Sequence, residues 1–401
     1  LMAIMAAMKS KISLEKIVKI IPRIKSVNGR LEKVGNLNNY GIVILDYAHT
    51  PDALKTCIKN VKEQFKLRKI SLVFGCGGDR DKPKRKIMGN IANRYCNKIY
   101  LTDDNPRSED PKKIRRDVRS GITKSKVIEI SSRERAIKSA ILDIKSSELV
   151  IIAGKGHEVY QEYTSKKYFS DKKCIKKYIK EKNKILNSRI DSTKMLFDFC
   201  VKNEIIPQKL INASAVGIYS KECGVYDYSV DENSQFGDTF LAEVCIENEK
   251  STKIFKVFED IDIVQLRIGV VLRKKIINLL SLNLLLSIPV PGRKNNYFPW
   301  IHVDDIVGFV NHSISSNLNG AFNLVGSELT SHESFFKSIQ KYKKSIIPWV
   351  LFIPPNLVKL FFGKMSEMFL YGPKTKPIKT LNSKYKFKYP TLQKALLNLS
   401  E

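Results

Sequence analysis

The stretch YGIVILDYAHTPDALKTCIKNVKEQF, residues 40–65, decides the fold class of the first half of this 401-residue chain. Its largely apolar run, YGIVILDYA, predicts a strand whose apolar residues are buried. The segment that follows begins with Thr50 and Pro51, a polar residue and a proline in the order favoured at the start of a helix. The stretch therefore predicts a strand followed directly by a helix, the repeating unit of a parallel α/β sheet.

The same alternation continues to about residue 179. Further strands are predicted at KISLVFGCGG, NKIYLTDD, SKVIEI and SELVIIAGKG, with helices between them, one of which begins near Pro111. The polar clusters DYAHTPD, FGCGGDRD, TDDNPRSEDP and AGKGHE each follow the carboxyl end of a predicted strand. Ligands bind at that edge of open parallel sheets, so the clusters together predict one substrate site.

Composition excludes several classes of protein. No apolar run reaches the roughly 18 residues of a membrane span, and no small-residue cleavage site follows a basic start, so we expect neither a membrane partner nor a signal peptide. The seven cysteines have no CxxC pair and no metal-type spacing, which argues against disulfides and metal sites and favours a cytoplasmic location. The net charge is +30, but the lysines are spread evenly and form no nucleic-acid motif, so we expect no nucleic-acid partner.

The cluster TDDNPRSEDP has the chemistry of a site for a charged amino acid. Arg107 can present a planar guanidinium to a carboxylate through two charge-assisted hydrogen bonds, and Asn105 offers a donor and an acceptor beside it. Arg80 follows two glycines in GGDRD, and Glu158 in AGKGHE can accept from an ammonium. These residues suit a ligand with carboxylates and an amine, although surface ion pairs would give the same pattern.

Motifs in this half resemble those of a known enzyme family. GRLEKV, LDYAHTPDAL, FGCGGDRDKPKRKIMG, TDDNPRSEDP and AGKGHEVYQ are similar, in order and spacing, to the C-terminal domain of the Mur ligases that add the third residue of the peptidoglycan stem peptide. In that family the DNPR motif selects meso-diaminopimelate over lysine. The resemblance implies ATP-dependent amide bond formation through an acyl phosphate, with ATP and Mg²⁺ as cofactors. It implies meso-diaminopimelate and UDP-MurNAc-L-Ala-D-Glu as substrates.

The resemblance also implies roles for individual residues, none of them catalytic in this half. The implied substrate contacts are Arg80, Asp104, Asn105, Arg107, Gly154 and Glu158. Arg30 and Asp46 are implied to contact the ATP ribose, and His49 to lie near the phosphates. The sequence leaves open that His49 only stabilises a turn.

Parts of the ligase machinery do not occur in this sequence. It contains no GxxGK[ST] loop, whose backbone N–H groups and lysine hold the phosphates of ATP. The N-terminal UDP-sugar domain is not recognised either, and residues 1–26 resemble the tail of the family's central ATPase domain. We therefore expect the chain alone to be inactive as a ligase unless a separate chain supplies the ATPase domain.

A second α/β pattern follows a lysine-rich, helical linker whose boundary we place near Lys180. The blocks NSRIDSTKML, LINASAVGIY, QLRIGVVL, PWIHVDDIV, GAFNLVG, PPNLVKLFFGKM and KYKFKYPTLQKAL resemble atypical short-chain dehydrogenases/reductases of the NAD-dependent epimerase-like kind, which carry a small C-terminal domain. The resemblance implies that Ser214 is the active-site serine, exposed with Tyr219 at the end of its strand. The alternative is that Ser214 is simply a small residue in a tight strand.

The second half also departs from its family. GDTFLAEVC, with Phe240 and no lysine, stands where the YxxxK pair is expected, and the GxGxxG turn is missing, so NAD(P) binding is doubtful. We interpret His302 as ordering its loop, and Asp304 and Asp305 as capping the next helix.

The fold class predicted for the whole chain is α/β, with two successive α/β domains and mostly parallel sheets. The expected segments are 1–26, the ATPase tail; 27–180, a Rossmann-like Mur ligase C-terminal domain; 181–345, a partial NAD(P)-binding epimerase-like domain; and 346–401, its small α/β C-terminal subdomain. The favoured function is the ligase of peptidoglycan precursor synthesis. The alternatives are an epimerase or oxidoreductase acting on a sugar-like substrate, and a non-catalytic fused fragment.

Overall fold

The computed structural model describes residues 2–23, 27–35, 37, 41–123, 126–145, 147–220, 229–274, 288–291, 296–342, 350–353 and 372–399. The chain divides into two compact units, Leu1–Asn183 and Lys184–Glu401. The division point lies inside one continuous helix of 32 residues, Asp171–Lys202. The sequence favours two elements here, the lysine-rich linker and a separate helix at DSTKMLFDFCVKN, residues 191–203; the structure joins them in one helix.

The first unit is built on a six-stranded sheet. Its strands are β1 (Glu32–Lys33), β2 (Ile42–Asp46), β3 (Lys69–Phe74), β4 (Lys98–Leu101), β5 (Lys126–Glu129) and β6 (Glu148–Ala153), followed by the antiparallel hairpin of β7 (Tyr160–Glu162) and β8 (Lys166–Tyr168). The order across the sheet is β1-β2-β6-β3-β4-β5. Every neighbouring pair is parallel except β1 and β2, which confirms the predicted, mostly parallel α/β sheet.

The helices of this unit begin where the sequence signals predict. Thr50 caps one helix by accepting a hydrogen bond from the Ala53 N–H, and Asp110 caps another by accepting from Lys112. Proline occupies the first turn of both. The helices are α1 (Met2–Lys9), α2 (Leu14–Ile20), a 3-10 turn (Ile21–Arg23), α3 (Pro51–Gln64), α4 (Pro83–Tyr95), α5 (Pro111–Arg119), α6 (Arg133–Asp143) and α7 (Asp171–Lys202).

Helices cover both faces of the sheet, which makes two apolar cores. Successive side chains of a strand point to opposite faces, so Leu72 of β3 packs in a cluster with Leu54 of α3, whereas Val73 packs in the other cluster with Ile137 of α6. Both strand residues are fully buried. With both faces buried, the polar side chains that end the strands collect at the carboxyl edge of the sheet.

The second unit contains smaller sheets. Its strands are β9 (Lys209–Ala215), β10 (Ser229–Val230), β11 (Asp262–Ile268), β12 (Val270–Leu272), β13 (Ile288–Pro291), β14 (Trp300–His302), β15 (Gly320–Leu324), β16 (Val350–Ile353) and β17 (Lys374–Thr375). A three-stranded sheet has the order β15-β11-β9, and the pairs β10-β17, β12-β14 and β13-β16 are separate. All these pairings are parallel. The apolar stretch IDIVQLRIGVVL, residues 261–272, favours a single strand, but the structure divides it at Gly269 into β11 and β12.

Helices of the second unit lie between these strands. They are α8 (Phe240–Ser251), α9 (Val303–Ile314), α10 (His332–Tyr342), α11 (Ile378–Asn382) and α12 (Leu392–Asn398), with 3-10 turns at Val216–Tyr219 and Thr252–Val257. The sequence favours a helical, basic segment from about residue 348 onward. Among its described residues, Val350–Ile353 form the strand β16 instead, whereas α11 and α12 are helical. None of the described helices combines the length and the apolar composition that crossing a membrane requires.

Candidate functional site

The polar clusters of the first unit lie next to one another at the carboxyl edge of the sheet. Gly154, after β6, donates its backbone N–H to the Asp46 carbonyl at the end of β2, 3.2 Å away. Gly78, after β3, donates its N–H to the carbonyl of Asn105, after β4, at 2.9 Å. The side chains of Asn105 and Glu158 are joined by a hydrogen bond of 3.3 Å. Four strand-end segments therefore build one polar edge, as the sequence pattern predicted.

Asn105, Lys155 and Glu158 form the centre of this edge. The Lys155 ammonium lies 2.9 Å from Oδ1 of Asn105 and 2.9 Å from Oε2 of Glu158. The Lys155 side chain is fully buried, and that of Glu158 keeps 19% of its surface exposed. The cluster therefore presents the Glu158 carboxylate to solvent, while the Asn105 amide and the Lys155 ammonium that hold it are buried.

Arg107 lies beside this cluster with part of its guanidinium exposed. Nη1 donates to the carbonyl of Gly78 at 2.7 Å, and Nε lies 3.3 Å from Oε2 of Glu162. Within the described part of the chain, Nη2 of Arg107 makes no hydrogen bond. The backbone at Arg107 is left-handed, with φ of +55°. The loop thus fixes one side of the guanidinium and leaves donors for a ligand.

Asp104 and Gly154 lie behind the cluster. Burial raises the pKa of the Asp104 carboxyl, although Arg133 and Lys155 are 3.8 Å and 3.9 Å away. Gly154 has φ of +116°, and a Cβ there would lie 2.5 Å from Oδ2 of Asp104. Both observations require glycine at position 154. Asp104 is only 8% exposed. Its side chain therefore supports the residues of the site from the buried side, where a ligand has little access to it.

Arg80 stands apart from the residues that the structure brings together. Its side chain is exposed, and it makes no hydrogen bond or ion pair with the described residues. The neighbouring loop is well fixed, because Asp79 accepts from the hydroxyl of Ser108 at 2.7 Å and donates its N–H to Glu109 at 2.7 Å. The loop therefore holds Arg80 at the edge of the site with a free side chain.

The residues implied for the nucleotide lie on the β2 side of the same edge. Asp46 is buried, and its carboxylate accepts the N–H groups of Leu31 and Ala48, both at 2.8 Å. The guanidinium of Arg30 lies 4.7 Å from the centre of the Tyr47 ring. Asp46 therefore organises the loop, whereas Arg30 is exposed and can meet an anion.

His49 is also exposed on this side. Its Nδ1 lies 2.9 Å from the Tyr47 carbonyl, so Nδ1 carries the proton and Nε2 faces outward as an acceptor or, when protonated, a donor. Arg30 and His49 fit a phosphate-bearing ligand. No group of three or more His, Cys, Asp or Glu side chains suited to a metal occurs among the described residues.

Ser214, predicted to be exposed, is buried in the second unit. Its hydroxyl donates to Oε1 of Glu249 at 2.7 Å, and Glu249 forms an ion pair with Arg267 at 2.9 Å. Tyr219, predicted to be exposed as well, is fully buried, with its hydroxyl 2.9 Å from Oδ1 of Asn323. The prediction of exposure was wrong for both residues, because a buried polar network extends over the carboxyl ends of β9, β11 and β15.

The start of α9 also differs from the prediction. His302 itself is the capping residue, since its Nδ1 accepts the N–H of Asp304 at 3.2 Å. Asp305 accepts instead from the backbone N–H groups of Lys388 and Tyr389, at 2.6 Å and 3.1 Å. The interpretation of His302 as a residue that orders its loop agrees with this contact, but the capping role given to the two aspartates was wrong.

Sequence reasoning missed Lys155 and Tyr47 as members of the site. Lys155 stood inside the quoted motif AGKGHE, but nothing local signals that its ammonium is buried. Tyr47 lies between the two groups of predicted residues, with its hydroxyl 3.5 Å from Oε1 of Glu158 and its ring 4.7 Å from that of His49. Its position two residues before His49 was the available signal.

Two protein families match different parts of the chain. Residues 29–156 match the family described as "Mur ligase, glutamate ligase domain". Residues 353–399 match a family described as "Domain of unknown function (DUF1731)". The first match covers the strands and loops that build the polar edge as far as Gly156, and it confirms the resemblance to a Mur ligase C-terminal domain.

Individual relatives of the first half are ligases. The UDP-N-acetylmuramoyl-L-alanyl-D-glutamate–2,6-diaminopimelate ligase of Rickettsia felis is 46% identical over 172 residues, which are 42% of this chain and 32% of that protein. The ligase of the same name from Buchnera aphidicola subsp. Baizongia pistaciae is 42% identical over 185 residues, 46% of this chain and 36% of that protein. The chain thus spans about a third of the length of these curated relatives.

Solved structures similar to parts of this chain include a ligase and an epimerase family protein. A structure of a UDP-N-acetylmuramoyl-L-alanyl-D-glutamate–2,6-diaminopimelate ligase is 36% identical with a TM-score of 0.39, covering 45% of this chain and 37% of that one. A human epimerase family protein crystallised with NADPH is 20% identical with a TM-score of 0.49, covering 82% of this chain and 99% of that one. Both TM-scores lie below 0.5, so neither likeness carries an argument about function.

Proposed function

We propose that the first unit is the amino-acid-binding domain of a peptidoglycan precursor ligase, and that it binds meso-diaminopimelate at the polar edge formed by Asn105, Arg107, Lys155 and Glu158. The observation that carries the proposal is the contact cluster of Asn105, Lys155 and Glu158 beside the partly free guanidinium of Arg107. The identity of the curated relatives supports the choice of ligand.

The donors of this edge suit the carboxylates of the ligand. Arg107 keeps Nη2 available, and a guanidinium binds a carboxylate with charge-assisted hydrogen bonds. Arg80 stands free on the neighbouring loop and can reach a second carboxylate. The exposed cations therefore favour a ligand with more than one acid group.

The acceptor of this edge suits the ammonium of the ligand. Glu158 shares Oε2 with Lys155 and Asn105, and its Oε1 is 3.5 Å from the Tyr47 hydroxyl. That second oxygen can accept from an ammonium. A carboxylate and an ammonium on one carbon would meet Arg107 and Glu158 together, whereas lysine offers only the ammonium at the end of its side chain.

The proposal extends to the nucleotide in a limited way. Arg30 and His49 are exposed on the β2 side and would hold an anionic part of ATP. In such a ligase, ATP with Mg²⁺ would supply the phosphoryl group that activates the carboxylate of the acyl donor, with release of ADP, and the amine would then displace phosphate. This chain would orient the amine for that attack and keep it at the strand ends, while the acyl donor and the ligase reaction itself would require residues beyond those described.

Calorimetric titration of the chain with meso-diaminopimelate and with lysine tests the proposal. We expect meso-diaminopimelate to bind more tightly than lysine. Arg107→Ala should weaken binding of meso-diaminopimelate by about 1.5–3 kcal/mol, because it removes a charge-assisted contact. Lysine binding should change little, since lysine has no distal carboxylate for Arg107.

A matched control is Arg94→Ala. Arg94 is exposed in the last turn of α4, near the amino ends of the strands, so this variant removes the same charge away from the site. It should bind meso-diaminopimelate like the original chain. No binding of meso-diaminopimelate by the original chain, or equal losses in the two variants, would contradict the assignment.

A further inference from the structure

Lys155 is a buried cation at the base of the proposed site. It follows the end of β6 by two positions, and its side chain has no exposed surface. Its ammonium is 2.9 Å from Asn105 and from Glu158, 3.9 Å from Oδ1 of Asp104, and 5.2 Å from the centre of the Tyr160 ring. A buried ammonium is costly unless it is paired, so Lys155 holds these partners in fixed positions.

The orientation of the Asn105 amide follows from this contact. Oδ1 of Asn105 accepts from the Lys155 ammonium at 2.9 Å and from the Glu162 backbone N–H at 2.9 Å. Two donors at one atom require that atom to be the oxygen. The NH₂ group must then face Glu158, where Nδ2 lies 3.3 Å from Oε2. Lys155 and the Glu162 N–H together thereby fix the amide so that its NH₂ group donates to Glu158.

Lys155 also offsets the negative charge of Glu158. Oε2 of Glu158 accepts from both the Lys155 ammonium and the Asn105 amide, and Oε1 is the oxygen left for a ligand. A ligand carboxylate that approaches this part of the edge is therefore repelled less than it would be by a glutamate without an ammonium beside it.

We propose that Lys155 is a positioning residue that determines selectivity for an amino acid carrying a carboxylate beside its terminal ammonium over one carrying the ammonium alone. The inference rests on the proposed function. Lys155 acts through Asn105 and Glu158 and does not contact the ligand itself, because its side chain is fully buried.

Lys155→Met is the direct test, since methionine has a similar length and no charge. Asn105 would lose one of the two donors that fix its oxygen, and the negative charge of Glu158 would no longer have an ammonium beside it. We expect meso-diaminopimelate to bind about tenfold to about 100-fold more weakly, as for the loss of hydrogen bonds to a charged group. Lysine should bind equally well or more tightly, because its ammonium gains a stronger partner.

Lys182→Met is the matched control. Lys182 is equally buried in the first unit, and its ammonium donates to the carbonyls of Ile144 and Leu142 at 2.6 Å and 3.5 Å. This substitution removes a buried charge of the same kind outside the site. It should lower the stability of the chain but leave the ratio of the two binding constants unchanged.

Asn105→Asp tests the same idea with Lys155 retained. It keeps an oxygen for Lys155 and Glu162 and replaces the donor that faces Glu158 by an acceptor, so the selectivity ratio should fall as in Lys155→Met. This variant also covers the case in which Lys155→Met does not fold. The ratio is measured by calorimetry with both ligands for each variant.

The outcomes separate the inference from the proposed function. If the original chain selects meso-diaminopimelate and the selectivity persists in a folded Lys155→Met or in Asn105→Asp, the inference is wrong while the proposed function stands. If affinity for both ligands falls by the same factor in Lys155→Met, Lys155 is only structural and the inference is again wrong. If the original chain binds neither ligand, both fail together.

Discussion

Glu109 joins two loops of the site through a single oxygen. Its Oε1 accepts from Nη2 of the fully buried Arg85 at 2.8 Å and from the Asp79 N–H at 2.7 Å. The hydrogen bond from Arg85 is the main reason that the pKa of Glu109 falls from 4.5 to about 2. The charged form of Glu109 is thus the form that holds the loops together.

The first unit should therefore lose the stabilisation provided by the charged Glu109 carboxylate when the solution becomes acidic. A carboxyl whose pKa is lowered by folding stabilises the folded state above its unfolded pKa, and the effect disappears as the pH falls through the folded pKa. The difference in free energy of unfolding between the original chain and Glu109→Gln should shrink from about pH 5 to about pH 2.5. Urea unfolding across that range measures it.

Glu63→Gln is the control for this prediction. Glu63 is exposed on α3 and makes no ion pair with the described residues. Its substitution should leave the pH dependence of stability as it is in the original chain. A constant difference between the original chain and Glu109→Gln at all these pH values would mean that the ion pair with Arg85 does not stabilise the fold.

The sequence predicted which residues lie at the polar edge, but not how their side chains contact one another. Polar residues that directly follow a buried strand can be recognised from neighbouring positions, and this pattern placed Asn105, Arg107 and Glu158 at one edge. The burial of Lys155 depends on its contact with Asn105, which lies 50 positions away in the chain. A pattern of neighbouring residues cannot predict such a contact. Ser214 failed for the same reason, because its partner Glu249 lies on a helix 35 positions further on.

At the scale of elements, the loops after β3 and β4 approach each other closely. A Cβ at Gly78 would lie 1.8 Å from the carbonyl oxygen of Pro106. Gly78→Ala should therefore push the two loops apart and lower the free energy of unfolding by about 1–3 kcal/mol, as overpacking does. It should also weaken binding of meso-diaminopimelate, because Arg107 donates to the Gly78 carbonyl.

Gly217→Ala is a suitable comparison for Gly78→Ala. A Cβ at Gly217 meets its nearest atoms only at 3.9 Å, so alanine fits there without displacement. Urea unfolding and calorimetry of both variants check the prediction. Equal stability of the two variants would show that the loops after β3 and β4 can separate without cost.

Elements were predictable where sequence signals were local. Caps and prolines marked the starts of α3 and α5, and apolar runs marked the strands of the first sheet. The division of IDIVQLRIGVVL was not predictable from its apolar residues, because β12 leaves the first partner strands and pairs with β14, 30 residues further along the chain. Strand pairing is a property of the fold and not of the run itself.

At the scale of the whole molecule, each unit has cores of its own. The clusters around Leu72 and Val73 belong to Leu1–Asn183, and those around Trp300 and Phe309 belong to Lys184–Glu401.

We expect meso-diaminopimelate at about 100 times its Kd to stabilise the first unit by about 2.7 kcal/mol. The second unit should gain nothing, because the proposed site lies within the first.

Hydrogen exchange measured by mass spectrometry checks this expectation. Amides of the strands in Leu1–Asn183 should exchange more slowly with the ligand, and those of β9, β11 and β15 should exchange as before. Arg107→Ala should reduce the stabilisation at the same ligand concentration to about 0.3–1.3 kcal/mol, because its weaker binding leaves the site only partly saturated. Equal protection in both units would mean that the chain unfolds as one cooperative body.

At position 107, the residue that suits the backbone conformation differs from the residue that suits ligand binding. Its φ of +55° is a conformation that glycine or asparagine adopts at less cost than arginine. A laboratory selection that rewards heat resistance alone should exchange this arginine for glycine, and a selection for ligand capture should retain it. The residue recovered at position 107 would then reveal which of the two pressures a population of variants had experienced.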